Sequence, residues 1–155
     1  MAVAFDAASS ATQGTGNLSW THTPVGTPKG VIVLVRQKNT TGTISSVTYG
    51  GTSMTAMAGS PNVHATVGTA HGFFLGASIP TGAQTVAVTV SGSTKRDATA
   101  ITLTASQDAA VQDTDVTING TYANPSGTLA LGGNTCFCAI GFVSGKDAPG
   151  DITPL

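Results

Sequence analysis

The stretch Gln84-Thr85-Val86-Ala87-Val88-Thr89-Val90-Ser91 places a valine at every second position. Successive side chains of a β-strand point to opposite faces of its sheet, so this alternation predicts a strand with one buried face and one solvated face. Threonine and valine are also stiff at χ1 and pack well on a pleated surface. We therefore predict that this stretch is a strand of a half-exposed sheet.

The same pattern recurs along the chain. Alternating residues predict strands at Asn17 to His22, Ile44 to Tyr49 and Ala98 to Thr104. The unbroken apolar run Val31 to Val35 is typical of a strand that is covered on both faces, or whose outer face meets a partner. Further strands are predicted at Ala2 to Asp6, Ala70 to Leu75, Val116 to Ile118, Gly127 to Leu131 and Thr135 to Val143.

Gly50-Gly51 predicts a two-residue hairpin turn, because glycine reaches the positive φ that such turns need. The strand that returns from it is predicted at Thr52 to Met57, with Met54 directed inward. No window of the sequence has the 3.6-residue periodicity of a helix.

Eleven candidate stretches, from which we expect about nine or ten short strands and little or no helix, indicate an all-β fold, an antiparallel β-sandwich of the jelly-roll type. The 155 residues suit a single domain over residues 1–155. The segment Lys146 to Leu155 resembles a connecting loop. We therefore expect the C-terminal end of the sandwich to be completed by further residues or by another chain.

Charge is scarce: Asp, Glu, Lys and Arg make up 8% of the residues, the net charge is −1, and every acidic residue is Asp. The six basic residues are scattered, whereas nucleic-acid binding needs a basic patch, so we expect no nucleic-acid partner. No apolar run approaches the roughly 18 residues that span a bilayer, so we expect no membrane partner. Weak repulsion between near-neutral copies favours assembly with other protein chains.

Catalytic residue patterns are missing from the sequence. His22, His64 and His71 are isolated from one another and from ligand-like partners, and there is no Gly-x-Ser-x-Gly motif. Cys136 and Cys138 lie two residues apart on a predicted strand, where their parallel side chains suit neither a disulfide nor a complete metal site. We expect a protein that is not an enzyme and that needs no cofactor.

Asp108, Asp113 and Asp115 form the one cluster of carboxylates, in a predicted loop. Loop carboxylates can bind calcium, and these three residues are the candidate ligands. Because the complete EF-hand pattern is absent, a solvated loop without metal is the favoured interpretation.

A carbohydrate site would need an exposed aromatic ring beside hydrogen-bonding side chains. Trp20 or Tyr122, together with Asn119 and Asn124, are the candidates for such a site. Packing in the core is the competing interpretation for each aromatic residue.

Four stretches carry a resemblance to a known group of proteins. They are Gly16-Asn17-Leu18-Ser19-Trp20, Val31 to Val35, Ile44-Ser45-Ser46-Val47-Thr48-Tyr49-Gly50-Gly51-Thr52-Ser53-Met54-Thr55, and Gln84-Thr85-Val86-Ala87-Val88-Thr89-Val90-Ser91-Gly92. The order of these stretches, which together cover most of the chain as far as about Val143, resembles phage and bacterial β-sandwich proteins found among virion structural proteins.

The resemblance implies a non-enzymatic structural protein located in the virion, as a capsid decoration or a tail or fibre component. Its implied partners are other protein chains: copies of itself, a major capsid protein, or both. A carbohydrate-binding, lectin-like module is the alternative.

Overall fold

The computed structural model describes residues 3–64 and 68–105, which form ten strands and no helix. The first five strands are β1 Ala4–Ser10, β2 Leu18–His22, β3 Gly30–Lys38, β4 Ile44–Tyr49 and β5 Thr52–Ser53. The other five are β6 Thr55–Ala56, β7 Asn62–His64, β8 Gly68–Leu75, β9 Gln84–Val90 and β10 Arg96–Thr104. The prediction of an all-β sandwich is confirmed. The predicted strands after Thr104 lie outside the described residues.

The strands form two antiparallel sheets. Sheet A has the order β1-β10-β3-β8-β6, with β7 also paired to β8, and sheet B has the order β2-β9-β4-β5. The pairing is nested: β1 pairs with β10, β2 with β9, and β3 with β8. A long double ribbon wrapped into two sheets in this way is the jelly-roll arrangement.

The core fills the space between the two sheets. Val31, Val33 and Val35 of β3 face Val86 and Val88 of β9, and each of these valines is at most 1% exposed. Burying a valine side chain stabilises the fold by about 1.5–3 kcal/mol relative to leaving it in water. The valine alternation that predicted β9 therefore places its apolar face in this core.

The outer face of sheet A is buried as well. Ile32, Ile101 and Leu103 are 6%, 8% and 3% exposed and form a second apolar cluster, and Ile32 pairs directly with Ile101. Their side chains alternate with the inward valines of β3 and with the inward residues of β10. On the outer face of the run Val31 to Val35, Ile32 is buried and Leu34 is half-buried, which favours the interpretation that the strand is covered on both faces.

The hairpin prediction is confirmed, but the returning strand differs from the prediction. Gly50 and Gly51 have φ of 55° and 79°, and they join β4 to β5. The predicted strand Thr52 to Met57 is divided at Met54, because β5 belongs to sheet B and β6 to sheet A. Met54 is 9% exposed and packs in the core where the chain passes from one sheet to the other.

The two outer faces should respond differently to truncation. We expect Ile32→Ala, on the outer face of sheet A, to lower the free energy of unfolding by about 2–5 kcal/mol, because it leaves a cavity in a buried cluster. Thr89→Ala, on the exposed outer face of sheet B, should change it by about 0.5 kcal/mol or less. Urea denaturation measures both. A loss as small for Ile32→Ala as for Thr89→Ala would contradict burial of the outer face of sheet A.

Candidate functional site

A polar cluster joins the two sheets at the edge formed by β1 and β2. It comprises Asp6 and Ser9 of β1, Trp20 and His22 of β2, and Thr102 of β10, and we call it the cross-sheet cluster. The pairing of β1 with β10 shifts register between Phe5 and Ala7, a bulge that turns the Asp6 side chain towards Thr102. Neighbouring strands from both sheets thereby contribute to one buried network.

The hydrogen bonds of the cross-sheet cluster form a chain in which each side chain donates to the next, from Trp20 to the carboxylate of Asp6. A carboxylate only accepts, so the Thr102 hydroxyl donates to Oδ2 of Asp6 at 2.8 Å. Thr102 then accepts from Nε2–H of His22 at 3.1 Å, which leaves Nδ1 to accept from the Ser9 hydroxyl at 2.8 Å. The indole N–H of Trp20 donates to Ser9 at 3.0 Å. In the neutral imidazole, which burial favours, both ring nitrogens of His22 are satisfied in this way.

Burial controls ionisation around the cross-sheet cluster. His22 is 0% exposed, and its burial lowers its pKa below the ordinary 6.5, although the charge of Asp6 acts in the opposite direction. The ring of Tyr49 packs edge-on against His22, with centroids 6.0 Å apart. Burial, followed by the charge of Asp6, raises the pKa of Tyr49 to about 12, and its hydroxyl has no hydrogen-bond partner within the described part of the chain.

The cross-sheet cluster contains the residue types of a Ser-His-Asp triad. Here, however, His22 is closed off from solvent, and Asp6 reaches its imidazole only through Thr102. The backbone N–H groups of Val25 and Gly26 also donate to the Asp6 carboxylate. This geometry favours a structural interpretation, in which the cluster fastens the edge strands β1 and β2 to the core.

A second polar centre closes the opposite end of the sandwich. Arg96 of β10 is 1% exposed, and its guanidinium donates to Oε1 of Gln37, itself 1% exposed, at 2.9 Å. It also donates to backbone carbonyls of the surrounding loops, those of Thr15, Ser91, Gly92 and Thr94. Burial lowers the pKa of Arg96, but a guanidinium stays protonated in proteins. Arg96 therefore ties these loops to sheet A.

An uncharged cleft of about 700 Å³ lies at the edge away from the cross-sheet cluster, between β4–β5 of sheet B and β7–β8 of sheet A. It reaches three buried core side chains, those of Val47, Met54 and Phe73. Its described lining includes many hydroxyls but no Asp, Glu, Lys or Arg.

The imidazole of His71 also lines the cleft. It lies parallel to the Phe73 ring, with centroids 6.4 Å apart, and its Nε2 forms a 2.9 Å hydrogen bond with Thr69. Burial, followed by the charge of Arg96, lowers its pKa. Because His71 is therefore neutral at neutral pH, the cleft suits an uncharged occupant.

Among the strands of the described ranges, β2 forms the edge of sheet B on the side of the cross-sheet cluster. It pairs with β9 through Leu18, Trp20 and His22, whose partners are Val88, Val86 and Gln84. The N–H of Gly50 in the β4–β5 hairpin donates to Thr85 O. The backbone N–H and C=O groups of the odd-numbered residues of β9 therefore point towards β4, and those of the even-numbered residues point towards β2.

The backbone groups of Ser19 and Thr21 consequently point away from sheet B. Within the described ranges, no other strand pairs with them. Both side chains are exposed.

Of the site residues predicted from the sequence, Trp20 is the one that the structure describes. Its ring is half-buried against the core, and its indole N–H donates a hydrogen bond to the Ser9 hydroxyl. The calcium candidates Asp108, Asp113 and Asp115 lie outside the described residues. So do the carbohydrate candidates Tyr122, Asn119 and Asn124 and the cysteines Cys136 and Cys138.

Residues 3–64 and 68–105 contain no group of three or more His, Cys, Asp or Glu side chains that could hold a metal ion. Across the same ranges, no helix is long and apolar enough to cross a membrane.

Sequence reasoning missed the roles of Asp6, His22 and Arg96. Asp6 and Thr102 are 96 residues apart, and no spacing rule connects them. For Arg96 a signal was available, because it lies two residues before the alternating stretch Ala98 to Thr104 and so falls on the same strand face as the inward residues Ala98 and Ala100. A charge at an inward position indicates a buried residue that needs partners.

Two arginines at the same end of sheet A allow a matched comparison. We expect Arg96→Met to lower the free energy of unfolding by about 3 kcal/mol or more, because buried carbonyls lose a charged donor. Arg36→Met removes an ion pair with Asp97 whose side chains are 13% and 22% exposed, so water can still reach the remaining carboxylate and the cost should be smaller, about 1.5 kcal/mol. Urea denaturation of both variants tests this order. Equal losses would show that Arg96 contributes no more than the partly exposed ion pair of Arg36 with Asp97.

Stability should fall in mild acid. The pKa values of His22 and His71 are lowered in the folded state, so the unfolded chain takes up protons first. Their contribution to the free energy of unfolding is complete above the unfolded-state pKa of about 6.5, and it is lost as the pH falls through the lowered folded-state pKa values. Unfolding free energies between about pH 7.5 and 5 measure the slope, and His22→Gln and His71→Gln should each reduce it. An unchanged slope in both variants would refute this assignment.

Comparison with protein-family models, with curated proteins and with solved structures finds no match to this chain. The resemblance to phage and bacterial virion proteins therefore stays a prediction from the pattern of strands. The pairing of the strands establishes the fold as an antiparallel β-sandwich.

Proposed function

We propose that this chain is a non-enzymatic structural protein of a virion, a capsid decoration or a tail or fibre component. It acts by associating with other protein chains: copies of itself, a major capsid protein, or both. The observation that carries the proposal is the uncharged edge strand β2, whose Ser19 and Thr21 backbone groups point outward from sheet B. The resemblance of the strand pattern supplies the virion as the setting.

An edge strand offers N–H and C=O groups that can pair with a strand of another chain. Monomeric β proteins protect such edges with lysine, proline, bulges or very short strands. Strand β2 has five residues, and residues 7–28 around it contain no Lys, Arg, Asp or Glu. An edge of this length without charge is suited to extending a sheet into a neighbour.

The outer face of sheet B supports the same function. Its exposed side chains include Ser19, Thr21, Ser46, Thr85 and Thr89, which carry hydroxyls and no charge. Burying such a surface against another protein removes no ion from water, and charged residues are depleted from the centres of protein interfaces for that reason.

The carbohydrate-binding alternative depends on an exposed aromatic platform. Trp20 supplies little of one, since its ring is half-buried and its N–H is already bonded to Ser9. We therefore expect a glycan array to give no hits. Binding of a glycan that Trp20→Ala abolishes, in a variant that stays folded, would favour the lectin-like function instead.

Self-association should depend on the backbone of β2. We expect the protein to associate in sedimentation-velocity experiments, and Thr21→Pro to weaken that association at least about tenfold, because proline removes an outward N–H. This N–H is not used in the ladder with β9, so circular dichroism should report an intact fold. The matched control Thr21→Val keeps the N–H and should associate as the original chain does.

Two results would count against assembly through β2. One is a chain that remains monomeric at every accessible concentration. The other is association that Thr21→Pro leaves unchanged.

A further inference from the structure

We infer that the outer face of sheet A is a docking surface for a later part of the same chain, residues 135–143, which lie across it as a third layer. We call these residues the cover segment. The inference does not depend on the proposed function, and it names what closes the apolar cluster of Ile32, Ile101 and Leu103. With this layer in place, the outer face of sheet B is the sheet face that is available to other protein chains.

The outer face of sheet A is buried more deeply than neighbours within one sheet can achieve. Ile32, Ile101 and Leu103 are 6%, 8% and 3% exposed. Within the described ranges, the partly buried apolar residues that pack against them lie in the same sheet or at its margin: Val3, Ala8, Leu34, Met57 and Phe74. Side chains of adjacent strands stand side by side, roughly perpendicular to the sheet, so they flank a residue without lying over it. This burial therefore requires a cover from outside the sheet.

Two threonines show the contrast between the outer faces of the two sheets. Thr99 of β10 and Thr89 of β9 both point outward from a strand that is paired on each side. Thr99 is 4% exposed, whereas Thr89 is exposed. Leu34 shields Thr99 on one side, but its neighbour on the other side, Ser10, is itself exposed. The contrast supports an additional layer over sheet A.

The position of β10 favours the chain itself as the source of this layer. Strand β10 lies inside sheet A, between β1 and β3, and residues 106–155 follow it directly. An extended chain spans about 3.3 Å per residue, so the residues that precede the cover segment can cross a sheet whose strands are about 4.8 Å apart. A tethered segment acts at an effective concentration that is roughly millimolar, which favours it over the same segment of a separate molecule.

The cover segment matches the outer face of sheet A in charge and in length. Residues 116–145 contain no Asp, Glu, Lys or Arg, and the cover segment includes Phe137, Ile140 and Phe142, which favour burial. On the face itself, the charges of Arg36 and Asp97 neutralise each other. The cover segment has nine residues, as do β3 and β10, so an extended stretch of this length crosses the whole face.

Photo-crosslinking in the full chain tests the inference. Benzoylphenylalanine, a photoreactive derivative of phenylalanine, replaces the half-buried Phe74 on the outer face of sheet A. In the matched control it replaces Thr89 on the outer face of sheet B. Irradiation of dilute protein should link position 74 to residues 135–143 in a product with the mass of one chain, and the control should lose this product. Denaturing electrophoresis measures the mass, and tandem mass spectrometry locates the linked residue.

Each other outcome overturns the inference. A product of the same linkage with the mass of two chains shows that another copy supplies the cover. Linkage to other residues, or no linkage, shows that the cover segment lies elsewhere, and equal linkage from position 89 shows that the contact is not specific to sheet A. If circular dichroism shows that the variant at position 74 is unfolded, the probe at Leu34 on the same face decides between these outcomes. Association through β2 is measured separately on the unmodified chain, so failure of this inference leaves the proposed function standing.

Discussion

The pairing of β3 with β10 is the constraint on which the rest of the structure depends. Eight residue pairs, from Gln37–Arg96 to Gly30–Leu103, fix one register. A slip of β10 by one residue against β3 would exchange the two faces of β10, which would turn Arg96 and Thr102 out of the sandwich. The register therefore places both polar centres at once, one at each end of the same buried face, with the valine core between them.

Strands and turns that adjacent residues encode could be predicted from the sequence, whereas contacts between residues far apart in the chain could not. Periodicity located β2, β4, β9 and β10, and Gly50-Gly51 predicted the hairpin, because side-chain alternation and turn geometry are encoded in adjacent residues. The break at Met54 was missed because β5 and β6 read as one continuous strand, and it is tertiary packing that sends them to different sheets. The cross-sheet cluster joins residues up to 96 positions apart, so no local pattern could reveal it.

Charge is distributed in this protein in an unusual way. Arg96 lies inside, where Gln37 and loop carbonyls solvate it, and Asp6 is held by Thr102 and by two backbone N–H groups. The edge strand, the outer face of sheet B and the cleft have almost no charge. Within the described part of the chain, Arg96 and Asp6 therefore serve internal organisation, while the edge strand, the outer face of sheet B and the cleft present hydroxyls, apolar side chains and backbone groups.

The nested pairing also has a consequence for the order in which the molecule forms. The β4–β5 hairpin closes over two glycines, whereas β1 must find β10 some ninety residues further along the chain. Because the entropy cost of closing a loop grows with its length, β1 and β2 should be the last strands to join. Residues Asp6 and Ser9 then fasten an edge that does not exist in partly folded chains. For the proposed function, this order would complete the edge strand β2 in the last step of folding and so keep newly made copies from associating before they are folded.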